Sequence, residues 1–237
     1  MAARDTVIEK LKQHSPLDSG DVSVLRKLTY HVREINSGED FISQGEKCDA
    51  SSVVLKGCVA RYHTLQSGGR QYLAVHISGD WPDAQSLFLK QMDHSVCAIG
   101  PAVLCTVPHV ELIKAFRLRP AIGFAVWRET LLDAAIFREA ITNNSRRSGI
   151  ARLAHFFCEL LVRSERSGVA QDGSCALPFS QTQLGELLGM SIATVSRHIQ
   201  SLRKSRAADF RSGRLTVRHW SKLTTIANFD PLYLHPK

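Results

Sequence analysis

The sequence lacks the patterns that mark several large classes of protein. It contains no run of 18 apolar residues, so we expect no membrane-spanning helix. Its six cysteines form no C-x-x-C pair and no Cys/His pair with zinc-finger spacing, so we expect no metal site. A P-loop, a G-x-G-x-x-G and a serine nucleophile elbow are also missing, and the neighbouring carboxylates Asp80 and Asp83 do not by themselves indicate catalysis. We therefore do not expect an enzyme.

The amino terminus also lacks the features of a targeting segment. The opening run MAARDTVIEKLKQHSP contains acidic residues, and no apolar core is followed by a cleavage site. We therefore expect no secretory signal and a cytoplasmic protein. In that setting the six scattered cysteines are expected to be reduced and mostly buried thiols.

Charge is distributed unevenly along the chain. The formal net charge is +8, and residues 179–222 alone contain eight Lys or Arg against two Asp or Glu. A local basic block is typical of a protein that binds a polyanion, most often nucleic acid. The alternative is a solvated basic surface without a ligand.

The segment from residue 32 to residue 108 has the pattern of an all-β domain. Short apolar or alternating runs recur, such as SSVVLKGCVARYHTL and RQYLAVHI, and turn signals such as NSGED, QSGGR and SGDWPD separate them. Several short strands at this spacing indicate a β-sandwich or barrel. A short helical pattern precedes them at residues 18–28.

A long helical stretch follows, without proline or glycine from residue 124 to residue 148. Helical spacing predicts a mostly apolar stripe along one side, and this candidate dimerisation surface consists of Phe124, Trp127, Leu131, Ala134, Arg138 and Ile141. A second side is also apolar, with Ile122, Val126 and Ile136. A helix with two apolar sides needs two partners, and we expect its own β-domain and a second copy of the chain. The alternative is a helix buried within one domain.

The basic block begins with two short helices joined by a glycine, after a further predicted helix at residues 147–163 and a connector rich in Gly, Ser and Asp. Ser180 and Gln183 have the spacing of a capping box that starts the first helix, and Gly189 ends it where the turn needs a positive φ. Ser191 caps the second helix. The buried face of that helix consists of Val195, Ile199 and Leu202. This pattern predicts a helix-turn-helix.

The opposite face of the second helix is polar and basic. At 100° per residue, the residues that lie within about 40° of the direction opposite Val195 are Ala193, Arg197, Gln200 and Lys204. Arg197 is long enough to reach a guanine edge, and the hydroxyls and free N–H groups of the first turn suit phosphates. The candidate DNA-binding residues of the two helices are Ser180, Gln181, Ser191, Ile192, Ala193, Thr194, Ser196, Arg197, Gln200 and Lys204.

The segment DFRSGRLTVRHW comes next and predicts two short strands around a Ser-Gly turn, the wing of a winged helix. Arg211 and Arg214 lie at its tip and are candidate phosphate contacts. The alternative for the whole block is a small α/β packing module without a ligand. Because the capping box, the glycine turn, the polar helix face and the basic wing agree with one another, we expect the block to bind DNA.

With these elements in order, the chain resembles the Crp/Fnr family of bacterial transcription regulators, and the runs FSQTQLGELLGMSIATVSRHIQSLRK and SGRLTV carry the most specific part of the resemblance. The resemblance implies an α+β fold with an N-terminal β-roll of the cyclic-nucleotide-binding type (a jelly roll), a long dimerisation helix and a C-terminal winged helix-turn-helix. The implied boundaries are 1–118, 119–145 and 146–237, with the helix-turn-helix at 180–204 and the wing at 209–218.

The resemblance also implies how such a protein meets DNA. It implies a homodimer that binds a near-palindromic site, with the recognition helix 192–204 of each copy in one major groove, and RNA polymerase is a candidate partner. Family members commonly recognise a half-site with an arginine and a glutamate on this helix. Arg197 matches the arginine, whereas Ala193 stands at the glutamate position and cannot accept from cytosine N4. We therefore expect a half-site that differs from the common one.

The effector of the β-roll is less clearly indicated. In members that bind cyclic nucleotides, a Gly-Glu pair and an Arg-Ser pair hold the phosphate, but this chain has residues 83–86 and His94-Ser95 at these places, and no arginine occurs between Arg70 and Arg117. A phosphodiester would lack its bidentate partner, so we do not expect cyclic AMP to bind. The candidate pocket for another small molecule consists of Asp83, Gln85, Ser86, His94 and Ser95.

Other family cofactors have little support in the sequence. Residues 1–47 contain no cysteine, so we do not expect the N-terminal iron–sulfur cluster of some members, and His63 and His76 are more typical of structural strand histidines than of haem ligands. The alternative to a DNA-binding regulator is a small-molecule or cyclic-nucleotide-binding module whose C-terminal helices contact protein. A salt-dependent affinity for duplex DNA distinguishes the two.

Overall fold

The computed structural model describes residues 3–66 and 68–235, which form two compact units. The first contains the chain up to His63 together with Val75–Ala134, and the second contains Thr64–Ala74 and the chain from Ala135 onward. The boundary therefore falls within the long helix that the sequence predicts. Over the described ranges, no helix is both long enough and apolar enough to cross a membrane.

The first unit is built on seven strands and the helices around them. Its helices are α1 (Ala3–Lys12), α2 (Ser19–Lys27), α3 (His109–Leu118) and the first part of α4 (Pro120–Arg146). Its strands are β1 (His31–Ile35), β2 (Asp40–Ile42), β3 (Ala50–Lys56), β4 (Cys58–Thr64), β5 (Arg70–Ile77, of which residues 75–77 belong to this unit), β6 (Ser95–Ala98) and β7 (Ala102–Pro108). They form two sheets with the orders β1-β7-β3 and β2-β6-β4-β5. The predicted β-roll is thereby confirmed, whereas α1 was not predicted.

The three-stranded sheet is covered on both faces, which explains its continuous apolar runs. Val53 and Val54 are consecutive on β3 and both fully buried, so they point to opposite faces. Val54 packs in the core between the sheets, and Val53 packs against residues of α1–α4. On β7, Leu104 and Cys105 divide between the same two cores. The helices therefore close the outer face of the roll.

The second unit contains the end of α4 and a helical domain with a small sheet. Its helices are α5 (Gly149–Arg166), α6 (Gln181–Leu188), α7 (Ile192–Lys204) and α8 (Trp220–Ala227). The strands β8 (Ser174–Ala176), β9 (Ala208–Arg211) and β10 (Arg214–Val217) form an antiparallel sheet of order β8-β10-β9. The connector that we predict before the helix-turn-helix therefore contains a short strand. Three residues carry too little pattern to reveal a strand whose stability comes from pairing with β10.

Helix α5 is the centre of the second unit. Leu153, Phe157 and Leu160 are almost fully buried along it. The Phe157 ring lies 5.4 Å from that of Phe210 on β9, measured between centroids. Each large apolar side chain that is buried on this helix stabilises the fold by roughly 1.5–3 kcal/mol. This packing anchors the helix-turn-helix.

The carboxyl-terminal segment packs back on α5. Tyr233 donates from its hydroxyl to the Glu159 carboxylate at 2.8 Å, and the His155 ring contacts those of Phe229 and Tyr233, with centroids 5.1 and 5.8 Å away. Burial, with a smaller contribution from Arg147, lowers the pKa of His155 to about 3, so this imidazole is neutral at physiological pH. The tail is therefore an integral part of the domain.

A glycine within α6 fixes the distance between the helices of the helix-turn-helix. A Cβ on Gly185 would lie 2.5 Å from the carbonyl oxygen of Met190, whose amide donates to the Gly185 carbonyl at 2.9 Å. The sequence reveals the turn glycine Gly189, but the role of Gly185 depends on this close approach of two backbone segments.

We expect Gly185→Ala to lower the free energy of unfolding by about 1–3 kcal/mol, because the added methyl group must push the Met190 backbone away. Gly189→Ala is the matched control. A Cβ at position 189 meets no atom closer than 3.5 Å, but the alanine must adopt a φ of 63°, which lowers the free energy of unfolding by about 1 kcal/mol. Chemical denaturation followed by circular dichroism measures both, and a smaller loss for Gly185→Ala than for Gly189→Ala would contradict this account.

Candidate nucleic-acid interface

The two helices of the basic block begin and end at the predicted signals. The Ser180 hydroxyl accepts from the backbone N–H of Gln183 at 3.1 Å, and the side-chain oxygen of Gln183 accepts from the backbone N–H of Ser180 at 2.9 Å. The capping box is therefore formed. Gly189 then ends α6 in the left-handed conformation. The start of α6 and the turn between α6 and α7 are therefore each fixed by a local motif.

Helix α7 has the two faces that its sequence predicts. Val195, Ile199 and Leu202 are buried, while Ala193, Arg197, Gln200 and Lys204 are exposed. Of the twelve predicted DNA-binding residues, ten are exposed, and Thr194 and Ser196 are half-buried. The exposed face is free of large aliphatic side chains beyond Ile192 at its start.

A short chain of hydrogen bonds orients the arginine of this face. Ser191 accepts from the amide of Thr194 at 3.3 Å, and the two hydroxyl oxygens lie 2.9 Å apart. The guanidinium of Arg197 donates to the Thr194 hydroxyl at 3.0 Å. This contact directs Arg197 toward the amino-terminal end of α7, where the helix also presents free N–H groups. The sequence predicts Thr194 as a DNA-binding residue but does not reveal that it positions Arg197.

The wing carries two arginines at its tip. Strands β9 and β10 pair in register, with Arg211 opposite Arg214, and both side chains are exposed. Ser212 and Gly213 both have positive φ (50° and 70°), which is the geometry of a tight two-residue hairpin. Arg203, by contrast, donates to the Asp209 carboxylate at 2.7 Å. This basic residue of α7 therefore binds strand β9 of the wing within the protein.

In the first unit, the predicted effector residues fall into separate groups. The carboxylate of Asp83 accepts from the amide and the hydroxyl of Ser52 at 2.6 and 2.9 Å, and Ser86 lies 3.1 Å from Nε2 of His109. Asp83 and Ser86 are therefore engaged with β3 and α3. Burial raises the pKa of Asp83 to about 7.

Gln85 and His94 form the second group, while Ser95 lies apart from both. The amide nitrogen of Gln85 is 3.4 Å from Nε2 of His94, and Nδ1 of His94 is 2.7 Å from the Asp93 carboxylate. Burial, followed by the charge of Arg61, lowers the pKa of His94. Ser95 accepts from a backbone amide at Gln44 instead, so the five residues do not converge on one point.

A buried guanidinium completes the second group and corrects our interpretation of this region. No arginine lies between Arg70 and Arg117, but Arg61 on β4 is only 3 % exposed and lies beside Gln85. It donates to the Pro82 carbonyl at 2.7 Å, to Asp133 of α4 at 2.5 Å and to Gln85 at 3.3 Å. These partners are 21, 72 and 24 residues away in the chain, which is why local motifs do not reveal them.

We expect Asp133→Asn to lower the free energy of unfolding by about 2–3 kcal/mol, because a buried guanidinium loses its counter-charge while the partial exposure of Asp133 moderates the loss. Asp93→Asn, whose carboxylate is 75 % exposed, is the control and should cost under about 1 kcal/mol. Urea unfolding measures both. The double variant Arg61→Met with Asp133→Leu should recover part of the loss, and equal costs for the two single variants would argue against this ion pair.

Comparisons with known proteins agree with the order of these elements. The model of the Crp-like helix-turn-helix domain matches residues 151–226, and that of the cyclic nucleotide-binding domain matches residues 32–118. The chain belongs to the Crp/Fnr family. Together the two matches include the β-roll, the helix-turn-helix and the wing, so the resemblance stated from the sequence motifs is confirmed.

Relatives within the Crp/Fnr family match most of the chain at low identity. The fumarate and nitrate reduction regulatory protein of Vibrio cholerae is 20 % identical over 224 residues, which are 94 % of this chain and 89 % of the relative. The transcriptional activator protein FnrL of Cereibacter sphaeroides is 23 % identical over 195 residues, 79 % of this chain and 75 % of the relative. With the Crp-like helix-turn-helix, these matches identify the chain as a bacterial DNA-binding transcription regulator.

Solved structures of the Crp/Fnr type share the fold. FixK2 from Bradyrhizobium japonicum superposes with a TM-score of 0.74 at 24 % identity, over 84 % of this chain and 98 % of that one. TTHB099 from Thermus thermophilus, a transcriptional regulator of the CRP family, gives a TM-score of 0.65 at 16 % identity, over 83 % and 97 %. At these identities the likeness concerns the fold, and the site has to be argued from the residues of this chain.

Proposed function

We propose that two copies of this chain bind a near-palindromic duplex, each with α7 in the major groove of one half-site. The observation that carries the proposal is the exposed face of α7, where Ala193, Arg197, Gln200 and Lys204 lie opposite a fully packed face. An α-helix fits the major groove, where base edges present a distinct pattern for each base pair. Two-fold related helices one turn of DNA apart require half-site centres about 10 base pairs apart.

The positive charge of the second unit attracts the phosphates of any DNA duplex, whatever the base sequence of that duplex. Arg211 and Arg214 at the wing tip, and Lys204 at the end of α7, are exposed cations on the same domain as the recognition face. The capped start of α7 adds free N–H groups that favour phosphate oxygens. Such contacts position a protein on DNA, while the base contacts supply the specificity. A DNA partner also implies that the protein acts in the bacterial cytoplasm.

The dimer is proposed to form through α4. Phe124, Trp127 and Ile141 are 65, 59 and 68 % exposed and share one side of this helix with Leu131, Ala134 and Arg138. Ile122 and Val126, on the other side, are buried within the first unit. Large exposed side chains at helical spacing are typical of a surface that another helix covers.

The effector proposed for the β-roll is a small molecule other than cyclic AMP, or none. A cyclic nucleotide phosphate requires an available cationic partner, and the guanidinium beside Gln85 and His94, that of Arg61, is neutralised by Asp133. The hydrogen-bond donors of this region therefore do not fit the phosphate of a cyclic nucleotide. We propose no haem, iron–sulfur cluster or catalytic activity, and RNA polymerase stays a proposed partner.

The test is selection of bound sequences from random duplex DNA by purified protein, with and without cell extract. The expected product is an inverted repeat with half-site centres about 10 base pairs apart, bound with a log–log salt slope of about −0.9 for each phosphate contact. The variant Arg211→Ala with Arg214→Ala should reduce that slope by about two for each protomer and leave the selected sequence unchanged. Salt-independent binding, or no enriched sequence, would contradict the proposal.

A further inference from the structure

The first turn of α7 presents aliphatic surface where the helix would meet the bases. Ile192 is 52 % exposed and Ala193 is exposed, whereas the other aliphatic residues of α7, Val195, Ile199 and Leu202, are all buried. The first turn has no acidic residue. The aliphatic surface of these two residues is therefore open to solvent at the start of α7 and is not used in the packing of the domain.

The base edges in the major groove limit what such a surface is able to recognise. All four bases present hydrogen-bonding groups there that Ile192 and Ala193 do not satisfy, and thymine alone adds a 5-methyl group. A carboxylate would accept from cytosine N4, but this turn supplies none. Apolar contact with a methyl group is thus the base contact that suits these two side chains.

We propose that Ile192 and Ala193 contact the 5-methyl group of a thymine in each half-site. This inference rests on the proposed function, because it requires α7 to lie in the major groove. Arg197 follows Ala193 by four residues, about 6 Å along the helix, and is directed toward the same end by Thr194. The thymine therefore lies about two base pairs from the guanine that Arg197 contacts.

The orientation of Arg197 fixes where its guanine contact lies relative to the thymine. Because the Thr194 hydroxyl holds the guanidinium at 3.0 Å, Arg197 approaches the bases from a fixed position on the helix. A cytosine in place of the thymine lacks the 5-methyl group, so it offers these side chains no apolar contact. The preference for thymine over cytosine thus comes from the methyl contact itself.

The test replaces thymine by deoxyuridine, which lacks only the methyl group, in the duplex chosen by selection. Substitution at the contacted thymine should weaken binding about fourfold in one half-site and about fifteenfold in both, as expected for one buried methyl each. Deoxyuridine at flanking thymines is the matched control and should leave the affinity unchanged. The measurement is fluorescence anisotropy at constant salt.

Two protein variants separate the contact from other effects of the methyl group. With Ile192→Ser, whose exposed position does not threaten folding, the same deoxyuridine substitution should have a smaller effect, because only the contact of Ala193 with the methyl group remains. Ala193→Glu should shift the preference at that position toward cytosine.

The two possible failures are distinguishable. If the protein binds a selected inverted repeat but deoxyuridine has no effect at any half-site thymine, the methyl contact is wrong and the proposed function stands. An effect of the same size in Ile192→Ser and in the unaltered protein would also overturn the contact. If no specific duplex binding occurs, both the contact and the proposed function fail.

Discussion

Arg197→Ala is expected to abolish sequence-specific binding while preserving the fold. The side chain is exposed and its hydrogen-bond partner in the protein is the hydroxyl of Thr194, so its removal opens no cavity. A bidentate arginine–guanine contact is worth about 1–3 kcal/mol, and a dimer loses two of them, which amounts to a loss on the order of a thousandfold. Titration of the selected duplex, with a scrambled duplex beside it, measures the change.

The control for this prediction is Arg197→Lys, which keeps the charge and loses the planar fork. It should bind scrambled DNA as the unaltered protein does and still lose most of its preference for the selected site. Lys204→Ala, further along the same face, should weaken both duplexes alike. If Arg197→Ala retains the full preference, α7 is not the recognition helix.

Trp127→Glu is expected to convert the dimer into a monomer. Trp127 is 59 % exposed in the middle of the apolar side of α4, and its neighbours Phe124 and Leu131 are 65 and 49 % exposed. A carboxylate there would be buried without a partner in a dimer, yet it is solvated in the monomer. A monomer binds only one half-site and loses the gain in affinity that comes from linking two recognition helices in one dimer. DNA affinity should therefore fall about 10²- to 10⁴-fold.

Light scattering measures the oligomeric state, and Val110→Glu is the matched control. Val110 is 60 % exposed on α3, so the substitution introduces the same charge at a similarly exposed aliphatic position outside the proposed seam. It should leave the dimer and its DNA affinity intact. A dimer that survives Trp127→Glu, or a protein that is monomeric without any substitution, would exclude α4 as the seam.

The helix-turn-helix could be predicted almost completely because its signals are local. The capping box of Ser180 and Gln183, the left-handed Gly189 and the 3.6-residue period of Val195, Ile199 and Leu202 each depend on neighbours within one or two turns. The wing is equally local, since two residues determine its hairpin. The two sides of α4 follow from periodicity alone.

The effector region could not be predicted in the same way. The partners of Arg61 lie on a loop, on a short 3₁₀ turn and on α4, and no periodic pattern connects residues that are 72 positions apart. The family resemblance places Asp83 with Gln85 in one candidate pocket, but the Asp83 carboxylate is hydrogen-bonded to Ser52 of β3. The packing of the tail on α5 through Tyr233 is also a tertiary contact without a local signal.

Methylation interference on the selected duplex tests most directly whether α7 lies in the major groove. Dimethyl sulfate modifies N7 of guanine in the major groove and N3 of adenine in the minor groove. The account predicts that N7 methylation of one guanine in each half-site prevents binding, that this interference disappears in Arg197→Ala, and that N3 methylation within the half-sites has little effect. Interference confined to adenine N3, or guanine interference unchanged in Arg197→Ala, would contradict it.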